Sequence, residues 1–117
     1  MKKKIILGLT EEITVLGEQG KETVTARIDT GATSSSIDYN LAAKLKLGPI
    51  TKSKTIKSAL GVLKRPVIHA KVKIHNAVVE AEFSLADRSH LKYSVLIGQN
   101  ILKTGNFLID PNKEEQQ

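Results

Sequence analysis

The strongest signal in this sequence is the stretch Ala26-Arg27-Ile28-Asp29-Thr30-Gly31-Ala32-Thr33-Ser34-Ser35-Ser36. An apolar segment typical of a β-strand ends at Ile28, and an aspartate then opens a turn of small residues. Alone, Asp-Thr-Gly is a weak motif, because at average residue usage it occurs by chance in about one chain of this length in forty. An ordinary turn aspartate, favoured because its side chain bonds the local backbone, is the competing interpretation. The rest of the sequence must decide between a functional motif and an ordinary turn aspartate.

Short apolar or alternating runs on both sides of this stretch predict antiparallel strands. Upstream, the runs are residues 4–9, 13–17 and 23–28, separated by Gly-containing breaks. Downstream, residues 64–86 indicate one long hairpin with a tight connection at His75-Asn76. Short helices are predicted after Asp38, which can cap one, and over residues 99–103. The fold is therefore expected to be mainly β with one or two short helices.

Length and composition set the limits of the prediction. A chain of 117 residues holds one small domain, and 40% hydrophobic residues with only two Phe, two Tyr and no Trp require an aliphatic core. Without cysteine, neither a disulfide framework nor a thiolate metal site can form, and nothing indicates an oxidising compartment. We predict a cytoplasmic protein with one domain over residues 1–110 and a polar, frayed tail over residues 111–117.

The sequence does not indicate a membrane protein. The apolar run at the basic start of the chain is about five residues long, shorter than a signal peptide needs. No stretch approaches the ~20 apolar residues that span a bilayer.

The net charge of +6 is unevenly distributed. Residues 39–79 contain nine Lys and Arg and no acid, so the remaining chain has a net charge of 9 − 12 = −3. Such a block is usually a set of solvated faces, but it can also attract acidic ligands. Nucleic-acid binding is the rival that charge alone suggests. We predict no nucleic-acid partner, because the basic run has no interleaved aromatic residues to stack on bases.

The Asp-Thr-Gly-Ala stretch resembles the active-site turn of the retropepsin-like aspartic peptidases, which include the retroviral proteases. The likeness continues in the family's order through a basic hairpin to Val95-Leu96-Ile97-Gly98-Gln99-Asn100-Ile101-Leu102. It implies a closed β-barrel with one lobe per chain. It also implies that Ile97 and Gly98 support the catalytic turn from beneath, with a short helix after them.

A narrower likeness is to small bacterial and archaeal proteins labelled ATP-dependent zinc proteases. Their pattern is matched by Arg65-Pro66, Asp87-Arg88 and Ile97-Gly98-Gln99-Asn100, although members usually carry Arg where Gln99 stands. Asp87 and Arg88 are given a structural supporting role. No His-Glu-x-x-His is present, and His69 and His75 are six residues, or ~20 Å, apart along a strand. One metal ion needs its ligands within ~2 Å, so we predict no metal and no cofactor.

The resemblance implies a catalytic role for Asp29, Thr30 and Gly31. Hydrolysis by this route needs two carboxyl groups that share a proton and hold one water. The other aspartates, at positions 38, 87 and 110, are not followed by Thr-Gly or Ser-Gly, so the chain supplies one half-site. A two-fold homodimer would place two copies of Asp29 face to face. The predicted function is an aspartic endopeptidase acting on a peptide or protein.

Substrate contacts are expected at Ala32 and at the family's flap, a hairpin that closes over substrate. The flap falls at Ser58-Ala59-Leu60-Gly61-Val62, with Leu60 as a contact and Gly61 as a hinge. Nearby Lys57, Lys64 and Arg65 suit acidic or glutamylated substrates, which the family's association with glutamate ligases implies. Alanine at position 32 offers no hydroxyl to an ionised carboxylate, so we expect a pH optimum nearer neutral than in stomach-type enzymes.

The main alternative is a protein with the same fold and no catalytic activity. A dimeric peptide-binding or assembly module could use the same scaffold, because fold does not prove function.

Overall fold

The computed structural model describes residues 3–114, which form nine strands and two short helices. The strands are β1 (Ile6–Leu7), β2 (Thr10–Gly17), β3 (Gly20–Ile28), β4 (Ser35–Asp38), β5 (Ile50–Ser58), β6 (Gly61–Ile74), β7 (Ala77–Ala86), β8 (Val95–Ile97) and β9 (Leu108–Ile109). Helix α1 spans Tyr39–Lys44 and helix α2 spans Gln99–Thr104. The predicted mainly β fold with short helices is confirmed.

Six of the strands close into a barrel. Their order is β2-β3-β8-β4-β7-β6, and β6 pairs back with β2 over Ile13↔Ile74 to Leu16↔Lys71. β5 extends the sheet beyond β6, and β1 pairs in parallel with β9 as a separate two-stranded sheet. The closed barrel agrees with the architecture that the resemblance implied.

The core is mostly aliphatic, as the composition predicted, although Phe83 and Phe107 are also buried in it. Its largest fully buried apolar side chains are Phe83, Leu7, Ile13, Ile37, Ile68, Ile74, Ile97, Ile101, Val15, Val72 and Val95. Those on strands come mostly from alternate positions, because successive side chains of a strand point to opposite faces, and Ile101 comes from helix α2. A polar residue, Ser35, is equally buried within this interior.

The long hairpin predicted over residues 64–86 is formed by β6 and β7, with register from Val67↔Ser84 to Ile74↔Ala77. β6 begins at Gly61, three residues earlier than predicted, because its first residues pair with β5 down to Ser58↔Gly61. A second hairpin therefore projects from the barrel. We call this β5–β6 unit the flap hairpin.

Helix α1 begins as its sequence indicated. The Asp38 carboxylate accepts a hydrogen bond from the Asn40 backbone N–H at 3.1 Å, which caps the helix. Leu41, Ala42 and Leu45 bury one side of the helix against the core.

The segment after β9 remains attached to the barrel through Lys113. Its ammonium group donates to the Ile6 carbonyl at 2.9 Å and to Glu11 Oε2 at 2.8 Å, and His75 lies 3.1 Å from Glu11 Oε1. We call Glu11, His75 and Lys113 the terminal clasp. Residues 115–117 of the predicted tail lie outside the described residues, and the division into a domain and a tail stays a prediction.

Candidate active site

Strand β3 delivers Asp29 to the end of the barrel. Ala26 and Ile28 point into the core, so Arg27 and Asp29 belong to the opposite face. β3 runs parallel to β8 with Ile28 opposite Ile97, and the Asp29 N–H donates to the Ile97 carbonyl at 2.9 Å. The backbone of Asp29 is therefore still held by the sheet while its side chain enters the turn.

The turn itself bonds the Asp29 side chain. Asp29 Oδ1 accepts from the Gly31 N–H at 2.9 Å, and the Ala32 N–H approaches the Asp29 carbonyl at 3.3 Å. Asp29 is half-buried, whereas Thr30 and Gly31 are exposed. Gly31 does not adopt a left-handed φ. Its contribution to the turn is its backbone N–H, which donates to the Asp29 carboxylate.

The same local hydrogen bond occurs at every aspartate of the chain. Asp38, Asp87 and Asp110 each accept the N–H of the second residue after them, at 3.1, 3.0 and 2.9 Å. This bond is the ordinary behaviour of a turn aspartate. It therefore does not distinguish Asp29 from the other three.

The beginning of α2 distinguishes the Asp29 turn. The backbone N–H groups of Gln99 and Asn100 donate to the carbonyls of Ala32 and Thr33 at 2.8 and 3.2 Å. The Gln99 side chain donates to the Thr30 carbonyl at 2.7 Å. The first turn of a helix has unsatisfied N–H groups, and here the carbonyls of the aspartate turn satisfy them.

Gly98 lies directly against the turn. A Cβ at this position would be 2.3 Å from the Ser34 carbonyl oxygen and 2.9 Å from that of Ala32. A side chain here would collide with backbone atoms, so only glycine permits this approach. The structure thus brings the sequence-predicted residues Ile97 and Gly98 to the Asp29 turn.

The sequence reasoning missed one contributor to the site, Ser35, and matched Asn100 in a motif without giving it a role. The Ser35 hydroxyl donates to Asn100 Oδ1 at 2.7 Å and accepts from the Gly98 N–H at 2.9 Å. The Asn100 amide also donates to the Glu82 carbonyl at 3.0 Å. The Ile-Gly-x-Asn pattern pointed to Asn100, but a buried partner for it among three consecutive serines had no sequence signal.

The flap residues form the tip of the flap hairpin. Ala59 and Leu60 make its turn, Ser58 pairs with Gly61, and Gly61 has a φ of 129° that favours glycine. The Leu60 side chain is 99% exposed. Halfway along β5 the hairpin contacts the turn through Lys54, whose Nζ donates a hydrogen bond to Ser34 Oγ. A cavity of about 300 Å³ at this contact is lined by Ser34, Lys52, Ser53, Lys54, Val67, Glu82 and Ser84.

Asp87 and Arg88 play different parts. Within residues 3–114 they form no ion pair with each other; Asp87 is exposed and bonds Ser89. The Arg88 guanidinium donates to the Tyr93 carbonyl at 2.9 Å and to Ser36 Oγ at 3.2 Å. Arg88 therefore joins the 88–93 loop to β4, the strand that follows the Asp29 turn.

The surroundings of Arg88 are electropositive. Burial lowers the pKa of Arg88, and the charges of Arg65 and Arg27 lower it further, while Asp38 opposes the change. Arg27 lies on β3, two residues before Asp29. The charges of Arg65 and Arg27 therefore both act on Arg88, and the Asp38 carboxylate opposes them.

Two of the three histidines, His69 and His75, take part in local contacts. His69 lies 3.4 Å from Glu82, and His75 belongs to the terminal clasp. In the part of the chain that the structure describes, no group of three or more His, Cys, Asp or Glu is placed to hold a metal ion. No helix within residues 3–114 is long and apolar enough to cross a membrane.

Comparison with solved structures identifies the fold. A Legionella pneumophila protein of unknown function superimposes with a TM-score of 0.71 at 24% identity, covering 97% of this chain and 98% of that one. The solution structure of simian foamy virus protease superimposes with a TM-score of 0.61 at 19% identity, covering 80% of this chain and 91% of that one. At these identities the matches show a shared retropepsin-like fold.

The sequence comparison identifies the family. No curated protein matches the chain. The family model described as RimB-like, retropepsin-like aspartic endopeptidase RimB, matches residues 40–117, about two-thirds of the chain. The matched part contains the flap hairpin, the 88–93 loop and the β8–α2 segment that supports the Asp29 turn. This chain belongs to the RimB-like family of retropepsin-like aspartic endopeptidases.

Proposed function

We propose that this protein is an aspartic endopeptidase whose dyad is formed by Asp29 of two identical chains. One observation carries the proposal: the Asp29 turn is held by α2 through hydrogen bonds to three of its carbonyls, at Thr30, Ala32 and Thr33. Asp38, in contrast, is buried and uses its two oxygens to bond the backbone of Asn40 and Arg88. A rigid support beneath an accessible carboxylate is what a catalytic group requires.

The chemistry needs a second carboxyl group within reach of the first. A homodimer axis beside the Asp29 turn would supply it from the partner chain. The ionised carboxylate takes a proton from the bound water, and the protonated one polarises the scissile carbonyl. The water oxygen bonds to the carbonyl carbon, a proton passes to the peptide nitrogen, and the C–N bond breaks to give an acid and an amine.

Thr30 and Gly31 have separate roles in this proposal. Thr30 is exposed, so its hydroxyl is available to bond the partner chain across the axis. The Gly31 N–H, 2.9 Å from Asp29 Oδ1, fixes the carboxylate. Ala32 and the flap residues Ser58, Ala59, Leu60 and Gly61 contact the substrate, and closure of the flap excludes water from the dyad.

The charge on the flap hairpin favours acidic substrates. Lys57, Lys64 and Arg65 lie on its two strands, and Arg65 is opposite Lys54 in the register. Lys52 and Lys54 line the cavity beside the turn. Replacing Lys57, Lys64 and Arg65 by Gln should reduce kcat/KM for a glutamate-rich peptide more than for a neutral one. An unchanged preference would remove acidic or glutamylated substrates from the proposal.

The proposed setting is that of a cytoplasmic homodimer acting on peptides or proteins. The proposal includes no nucleic-acid or membrane partner. The uneven charge is assigned to substrate attraction and to solvated strand faces.

The test is cleavage of a diverse peptide library at several pH values by the wild type, Asp29→Asn and Asp110→Asn. Asp110 is the matched control, because it makes the same local hydrogen bond to the N–H two residues on. We expect cleavage by the wild type and Asp110→Asn and none by Asp29→Asn. Equal cleavage by all three would rule out Asp29 as the catalytic group.

A dimeric peptide-binding module is the second candidate. The observation that favours it is the start of the family match at residue 40, which leaves the Asp29 turn outside the matched region. Peptide binding preserved in both the wild type and Asp29→Asn, without cleavage, would support this module.

A further inference from the structure

A single peptide group joins Gln99 to the Asp29 carboxylate. Its carbonyl, from Thr30, accepts from Gln99 Nε2 at 2.7 Å. Its N–H, from Gly31, donates to Asp29 Oδ1 at 2.9 Å. A peptide group is planar, with its C=O and N–H pointing in opposite directions, so fixing one end fixes the other.

Gln99 is well placed to fix this group. Its backbone N–H donates to the Ala32 carbonyl at 2.8 Å, so residue 99 bonds the turn on both sides of Gly31. It stands at the first position of α2, and the Leu102 N–H closes the first turn of that helix onto the Gly98 carbonyl at 3.2 Å. The side chain thus acts from a rigid base.

The Gln99 side chain can act on the Thr30–Gly31 peptide group because it ends in an amide. Only the NH₂ of the amide can donate to a carbonyl oxygen. Hydrogen bonds in series polarise one another, so donation to Thr30 also strengthens the Gly31 bond to Asp29. A carboxylate at position 99 would repel the Thr30 oxygen, and the exposed peptide group could then rotate its N–H away from Asp29.

We propose that Gln99 is a positioning residue that directs the Asp29 carboxylate through the Thr30–Gly31 peptide group. The positioning role is inferred from the hydrogen bonds alone. The effect of Gln99 on catalysis rests on the proposed peptidase function. The positioning role gives Gln99 a defined task at a position where the resemblance led us to expect Arg. Arginine also donates through N–H groups, so it could serve the same carbonyl.

The experiment follows amide-proton exchange with water by NMR in the full chain. The variants are Gln99→Glu, Gln99→Met, which removes the donor at similar size, and Gln99→Arg, which restores one. Gln19→Glu is the matched control, because Gln19 lies in the exposed turn between β2 and β3. Internal references are the Ser89 and Asn112 N–H groups, which bond Asp87 and Asp110 as Gly31 bonds Asp29.

We expect exchange at Gly31 to rise about fivefold in Gln99→Glu and Gln99→Met, with Ser89 and Asn112 changing less than about twofold. Gln99→Arg should bring Gly31 back near the wild type, and Gln19→Glu should leave it unchanged. Wild-type exchange at Gly31 in both donor-free variants would overturn the proposal. An equal rise at all three amides would also overturn it, since that would be general loosening.

Peptide cleavage separates this inference from the proposed function. If the protein is a peptidase, Gln99→Met should lower kcat about tenfold with little change in KM, because the substrate contacts remain. A selective response at Gly31 in a protein without peptidase activity would support the positioning role and contradict the peptidase. Cleavage together with unchanged Gly31 exchange would support the peptidase and overturn the positioning role.

Discussion

Ser35 and Asn100, 65 positions apart in the chain, are joined by a 2.7 Å hydrogen bond from the Ser35 hydroxyl to Asn100 Oδ1. Ser35 is fully buried, and it also accepts the Gly98 N–H. The bond connects the strand that leaves the Asp29 turn with the helix that supports it. Loss of this hydrogen bond should therefore lower the free energy of unfolding and also loosen the Asp29 turn.

Ser35→Ala should destabilise the protein by about 2 kcal/mol, because it leaves a buried Gly98 N–H without an acceptor. The midpoint of urea unfolding measures this loss. Ser53→Ala, at an exposed serine of β5, is the matched control and should change the free energy of unfolding by less than about 0.5 kcal/mol. Equal midpoints for the two variants would show that the buried bond contributes nothing.

Gly98→Ala should be far more harmful than Gly8→Ala. An added Cβ would be 2.3 Å from the nearest atom at Gly98 and 3.3 Å from the nearest atom at Gly8, and at both positions that atom is a backbone carbonyl oxygen. We expect a loss of about 3 kcal/mol or more at Gly98 and about 1 kcal/mol at Gly8. Urea unfolding of both variants checks this order, and a milder effect at Gly98 would contradict the close approach.

The terminal clasp should make stability depend on pH. Burial raises the pKa of Glu11, but hydrogen bonds from Lys113 and the Gly8 N–H, with the charges of Lys113 and His75, outweigh it and hold the pKa below its usual 4.5. A lowered folded-state pKa contributes stability above the unfolded value and loses it as pH falls through the folded value. The clasp should therefore weaken below about pH 4.5.

Glu11→Gln measures this dependence. Its urea midpoint should lie below that of the wild type near pH 7, and the difference should shrink towards about pH 3 as Glu11 becomes protonated in the wild type. Glu12→Gln, at the exposed neighbouring position, is the control. A difference between Glu11→Gln and the wild type that stays constant over this pH range would contradict the clasp.

The pH–rate profile should have its maximum nearer neutral pH than that of stomach-type enzymes. Residue 32 is alanine, and it contributes only its backbone N–H to Asp29, towards the carbonyl oxygen. It provides no hydroxyl to stabilise the ionised carboxylate. A maximum below about pH 3 would contradict this expectation.

The sequence predicted those elements that have a local physical signal. The alternation of Ile68, Ala70, Val72 and Ile74 predicted β6, and Asp38 predicted the start of α1. β5 was not predicted as a strand over residues 50–58, because its lysines, serines and threonines give no apolar face. Pairing with β6 imposes its extended conformation.

The site was predictable to a similar degree. Asp29 and Ile97-Gly98 were found because each lies in a recognisable motif. The three serines at positions 34–36 are chemically identical. Ser35 shares its phase along β4 with Ile37, and both are fully buried, whereas Ser36, on the other face of this buried strand, is 8% exposed. The contacts Gln99–Thr30 and Lys113–Glu11 join residues 69 and 102 positions apart, which no local pattern encodes.

The central claim is that two copies of Asp29 form one active site, and subunit mixing tests it most directly. Asp29→Asn is added to a fixed amount of wild type, under conditions in which sedimentation shows exchanging dimers. If the dyad is shared, an equal amount should reduce cleavage to about half and a ninefold excess to about one-tenth, because mixed dimers have one carboxylate. Cleavage that stays constant while mixed dimers form would contradict the shared dyad.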